Sequence, residues 1–203
     1  MRRDEALRHF RQNNVEPQIK QSLADLDAYY QDNWEELTGS LKAAFIALCH
    51  KTAQAQSAGR KNGIAYIYGS FLYTSLCRGQ SVCRLDAYDQ NWFLDKAECS
   101  VLYDAGWAFS FLHEACSRLA QESKKYIGRI TRYDIELIKR AEAGRYSEYI
   151  EDLGKEVMED VFATAEFQAL EKADELTVYI GEYKDLCRKT GAYHRELGPI
   201  ALD

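Results

Sequence analysis

Apolar residues recur at helical spacing along most of this chain. Asp4 to Asn13 reads as a short helix. Glu16-Pro17 opens a second, with the proline near the first turn, where its missing N–H costs nothing. Ile19, Leu23, Leu26 and Tyr30 then share one face. The triplet Thr38-Gly39-Ser40 predicts a break or kink, after which Leu41, Phe45, Leu48 and Thr52 resume the stripe. Gly59 and the turn Lys61-Asn62-Gly63 close it. Pro17 and Pro199 are the only prolines, so long helices are permitted between them.

The stretch after Gly63 fits two patterns. Ile64, Ile67, Tyr68, Phe71, Leu72 and Leu76 lie on one face of a helix, yet the segment is dense in Ile, Tyr, Phe and Thr, which suit strands. Arg78-Gly79-Gln80-Ser81 is a turn candidate, and beyond it Arg84, Asp86 and Tyr88 alternate with Cys83, Leu85 and Ala87. Alternation after a glycine-containing turn favours a long β-hairpin over residues 64–94, with a helical hairpin as the alternative. A lone hairpin is marginal in water, so it must pack on helices or pair with another chain. Its edges and its tyrosines, Tyr66, Tyr68, Tyr73 and Tyr88, point to a two-fold homodimer.

Asp95-Lys96-Ala97-Glu98 resembles a capping box, with Asp95 as N-cap of a helix that runs to about Lys125. That helix is apolar nearly all round, through Val101, Leu102, Ala105, Phe109, Leu112, Cys116 and Leu119 on one side and Tyr103, Trp107 and Phe111 on the other. This is the profile of a central, buried helix. Thr131-Arg132-Tyr133-Asp134 is a second capping-box candidate, opening a short helix that Gly144 ends. Ser147 is placed to cap a final long helix from Glu148 to Lys189, stopped by Thr190-Gly191, and Ala192 to Asp203 reads as a loosely held tail. The expectation is a mainly α protein: a single helical domain over residues 1–203, a bundle of about five to six helices with one embedded β-hairpin.

Charge narrows the function classes. Lys+Arg number 26 and Asp+Glu 32, a net charge of −6, which disfavours a nucleic-acid binder. Residues 121–145 are locally basic, with 7 Lys/Arg against 4 Asp/Glu, while residues 146–190 carry 12 acids against 5 bases. Lys124, Lys125, Arg129, Arg132, Lys139 and Arg140 form either a docking face or, more simply, a surface packed on the acidic last helix. No apolar core follows the N-terminal arginines, and the most apolar run, Val101 to Leu112, is interrupted by Asp104. Neither an export signal nor a membrane span is expected, so the location reads as cytoplasmic. Six cysteines without a CxxC then read as reduced thiols, with Cys49, Cys99, Cys116 and Cys187 buried; Cys77 and Cys83 would face each other across the hairpin, where a disulfide is the alternative.

Candidate chemistry is sparse. GxxxxGK[ST], GxGxxG, HExxH and GxSxG are all absent, and the chain carries no motif tying it to a known family. Cys99 and His113 would sit about 21 Å apart along one helix, too far to act together. His113 could still meet Cys49 or Cys187 from other helices. Asp86, Asp89, Asp95 and Asp104 cluster in sequence, but Ser110 stands where a di-iron helix would need a glutamate before His113. No metal site and no cofactor are expected. The most unusual stretch is Arg84 to Asp95, where Arg84, Asp86, Tyr88, Asp89 and Trp92 form the candidate binding residues, since Tyr, Trp and Arg anchor interfaces. The function read from these features is a non-enzymatic interaction or regulatory protein whose partner is itself or another protein. The alternative is an enzyme, small-molecule or metal-dependent, with a site assembled from distant Asp, His and Cys residues.

Overall fold

The structure, a computed structural model, describes residues 2–71, 75–76, 79–182 and 186–202. Three helices come first: α1 (Arg3–Phe10), α2 (Glu16–Asp32) and α3 (Trp34–Ser57). A π-helical turn, Arg11–Val15, joins α1 to α2, and Pro17 falls at the first turn of α2. Strands β1 (Ile64–Phe71), β2 (Val82–Tyr88) and β3 (Ser100–Asp104) follow, then α4 (Gly106–Glu122), α5 (Arg132–Phe162) and the short α6 (Ala165–Gln168). Strands β4 (Lys172–Glu182), β5 (Leu186–His194) and β6 (Gly198–Pro199) complete the chain.

The strands form one six-stranded sheet in the order β3-β2-β1-β4-β5-β6. All neighbours are antiparallel except β1 and β4, which run parallel at its centre. A parallel pair needs a crossover, and here it is β2, β3, α4, α5 and α6 together. This α/β architecture corrects the expected helical bundle. β1 and β2 do pair, but as inner strands of a mixed sheet rather than as an isolated hairpin.

Several boundaries move for the same physical reason. Asp95 caps no helix: residues 100–104 pair with β2, and α4 starts only at Gly106. Val101, Tyr103 and Ala105 alternate, a period-two signal that the spacing of Val101, Ala105 and Phe109 disguises as helical. The expected final helix, Glu148 to Lys189, holds only as far as Phe162 and has no start of its own. α5 runs unbroken through Gly144 to Phe162, Ser147 lies inside it, and the chain then turns into β4 and β5. The stop expected at Thr190-Gly191 lies inside β5, and the supposedly loose tail includes β6. The break expected at Gly39 falls instead at Asn33, and α3 runs continuously through Gly39. The Thr131 capping box is present: the Thr131 hydroxyl accepts from the Asp134 amide at 3.3 Å, and Asp134 accepts from the Thr131 amide at 2.7 Å.

The core lies between the sheet and its helices. Ile67, Leu85, Val178 and Ile180 from the sheet meet Phe45, Leu48, Leu112, Ile150 and Leu153 from α3, α4 and α5. Gly154 lets α5 approach so closely that a Cβ there would collide with Ile180. The fully buried Tyr146 donates its hydroxyl to Ser22 Oγ at 2.9 Å, and Ser22 donates to the Phe111 carbonyl at 2.9 Å. That chain satisfies the polar atoms linking α5, α2 and α4.

Candidate binding surface

Alternate residues of the strands face away from the core, and the 3₁₀ turn Trp92–Leu94 lies over this second face. Register aligns them in rows. Lys189, Tyr179, Tyr68 and Asp86 are successive partners across β5, β4, β1 and β2. Arg84 and Asp86, two residues apart on β2, therefore lie side by side. The Arg84 guanidinium donates from Nε and Nη2 to Asp86 Oδ1 at 2.9 and 2.8 Å, and from Nη2 to Glu98 Oε1 at 2.9 Å. Burial raises the Asp86 pKa above its ordinary value, against the opposing pull of Arg84.

Part of the open face is roofed by the loop between β2 and β3. Its base is a buried ion pair, Lys61 with Asp95. The Lys61 ammonium also donates to the carbonyls of Ala87 at 2.6 Å and Ala97 at 2.8 Å, which uses all three of its hydrogens. Asp95 in turn accepts from the amides of Asp89 and Ala97. Burial pushes the Asp95 carboxyl up, but Lys61 and the two amides outweigh it and hold the pKa below its usual value. Asp89 is a second clamp: its carboxylate accepts from the Asn91 amide at 2.8 Å and from the Asn62 side chain at 3.2 Å.

On that base the loop displays aromatics. Phe93 packs on Tyr68 and Tyr88, and Trp92 stacks on Phe93 with ring centroids 4.5 Å apart. Trp92 also lies over Tyr66 and Tyr68. Its backbone is left-handed, φ 56°, a conformation that side-chain-bearing residues rarely adopt. Even so, Trp92 remains 41% exposed and Leu94 83% exposed.

The five residues singled out from sequence are thus distributed as follows. Arg84, Asp86 and Tyr88 share the open face, Trp92 lies above it, and Asp89 is buried as a turn clamp rather than displayed. Tyr68 is only 5% exposed, stacked on Tyr179 and covered by the loop, so it is part of a small second core. Tyr73 and Cys77 lie outside the described residues. Lys61 and Tyr179 were missed. Lys61 sits in what reads locally as a polar turn, and only the fold brings Asp95 to it.

Chemistry-bearing groups elsewhere stay apart. Cys49, Cys83, Cys99, Cys116 and Cys187 are free thiols. Burial raises the pKa of Cys49 to about 12 and of Cys116 to about 11. Cys49 neighbours Lys172 and Glu166, whereas His113 lies between α4 and α5, so the two are not brought together. Among the described residues, no group of three or more His, Cys, Asp or Glu side chains is placed to hold a metal ion. Among them, too, no helix is long and apolar enough to cross a membrane. No protein-family model matches the chain, and no curated protein or solved structure is significantly similar to it.

Proposed function

We propose that this protein is a cytoplasmic, non-enzymatic interaction protein that works as a homodimer, using the open sheet face and the loop over residues 89–99 as the contact surface. The observation that carries this reading is Trp92, an exposed aromatic held in left-handed backbone on a loop anchored by a buried ion pair. A strained residue of this kind costs about 1–3 kcal/mol and persists only where its surroundings force it. Burying two charges for a loop base is not an efficient route to stability either. Both features make sense if the rigid display of Trp92 and Leu94 is what the loop is for, because pre-ordered aromatic anchors bind with little loss of freedom.

A second copy is the partner that the surface fits. Lys189 stands at one end of a row, and Arg84 with its two carboxylates, Asp86 and Glu98, a cluster that keeps one net negative charge, stands towards the other. A two-fold axis parallel to the strands, between β1 and β4, brings each cationic end over the acidic end of the other copy. The face is favoured over the edge. At the β3 edge, the exposed Lys51 of α3 donates to the Ser100 carbonyl at 2.9 Å, which occupies a backbone acceptor on the edge strand, and a covered edge discourages strand addition. Sedimentation equilibrium of the full chain tests the reading. The expected mass is twice 23.3 kDa, falling to the monomer with Trp92→Ala plus Leu94→Ala. A monomer mass at every concentration overturns it.

A further inference from the structure

We infer that the groove between α4 and α5 is a binding site for a small amphiphilic carboxylate, one with a short apolar body and a single anionic head. The groove is independent of the proposed dimer surface, since α4 and α5 cover the opposite side of the sheet. It is open to solvent, with a volume of about 600 Å³. Cys116, Ala120 and Ile135 supply apolar walls, while Lys124, Arg132 and Lys139 supply three cations. Among the described lining residues Glu136 is the single carboxylate. A pocket of this size, mostly apolar with a few convergent polar groups, suits a small organic ligand.

Two buried groups in the groove share one backbone carbonyl, that of Leu76. Lys139 is only 8% exposed, and its ammonium donates to the Leu76 carbonyl at 2.8 Å. Among the described residues no carboxylate lies within ion-pair distance of it, although a buried charge is ordinarily paired. The His113 ring lies against the Leu76 backbone that Lys139 also uses, and its buried Nε2 atom makes no hydrogen bond of good geometry. Burial, then the Lys139 charge, lower the His113 pKa, against the smaller raising pull of the Leu76 backbone and the Glu136 carboxylate. Lys124 and Arg132 are exposed at the rim, where they add attraction without being part of the core. The basic cluster read in the sequence therefore does not pack on an acidic last helix. Its Arg132 and Lys139 share α5 with the acidic residues of 148–160, and with Lys124 they line this groove.

The test titrates ¹⁵N-labelled full-length protein with decanoate, decylamine and inorganic phosphate, following the His113 ring nitrogens. Decanoate is expected to move the Nε2 resonance saturably, one per chain. Lys124→Gln with Arg132→Gln, both at exposed positions, should weaken it about ten-fold, the loss of a charge-assisted contact. Lys139→Gln should weaken it at least as much, and unfolding of that variant would leave the rim pair as the deciding measurement. Three results each overturn the inference: no shift with decanoate, an equal response to decylamine, or full affinity in the rim variant. Binding of phosphate without decanoate also overturns it, because the apolar walls would then play no part.

Discussion

The two faces of the sheet are built from the same strands and obey different rules. Towards the helices, Ile67, Leu85, Val178 and Ile180 are almost wholly enclosed, and Gly69 leaves just enough room for Ile180, Leu85 and Cys83 to close over it. Away from them stand Tyr66, Tyr88, Tyr179, Arg84 and Lys189, partly exposed and tied by rings and ion pairs. On the first face, removal of apolar area from water does the stabilising. On the second, stability has been given up locally: a left-handed tryptophan, a buried lysine, and a carboxylate with a raised pKa. The main core is thereby confined to one face, and the proposed contact surface lies on the other.

Adjacent residues of β4 offer the sharpest way to break this contrast. Val178→Asp places a lone carboxylate in the enclosed layer and should remove more than about 4 kcal/mol, enough to unfold many domains of this size. Thr177→Asp, one residue away on the open face, should cost less than about 1 kcal/mol. Urea unfolding of both variants decides it. Similar losses would mean that the open face is as enclosed as the other.

The loop base comes next in size. Lys61→Met leaves the buried Asp95 without its cation and two carbonyls without their donor, which should cost about 3–5 kcal/mol. Lys61→Met combined with Asp95→Leu should recover part of that, because no unpaired charge remains. Asp95 also gives a pH signature. Its folded pKa lies below the ordinary 3.8, so its contribution is complete above that value and is lost as pH falls through the folded pKa. Asp95→Asn should therefore be less stable than the parent at pH 6, with the gap shrinking towards pH 2. A constant gap across that range would show that the carboxylate's charge contributes nothing.

The same contrast explains what could be read from sequence. The first helices were legible because each buries one stripe at local spacing, and Pro17 and the Thr131–Asp134 box mark true helix starts. β4 was not. Leu176 and Ile180 are four apart, which a helix and a strand both satisfy, and the intervening Val178 decides between them. Its parallel partner β1 is about a hundred residues earlier, so no local pattern announces the pairing. Arg84, Asp86 and Tyr88 could be placed on one face by alternation alone. Lys61 and Tyr179 reach the same surface only through long-range register, and that part of the site was invisible.

The smallest expected change in stability belongs to the most exposed part of the contrast. Trp92→Gly removes ring contacts with Phe93, Tyr66 and Tyr68, and it also relieves a left-handed backbone that glycine adopts freely. The two effects oppose each other. Strain relief of about 1–3 kcal/mol is comparable to the loss of partly exposed aromatic packing, so the midpoint of unfolding should hardly move. Association should respond quite differently, since the anchor itself is gone. The variant is expected to fold like the parent at micromolar concentration and to sediment as a monomer. A dimer of unchanged strength would remove Trp92 from the interface. A large loss of stability would instead make the ring part of the small core over Tyr68, and the display argument would fall with it.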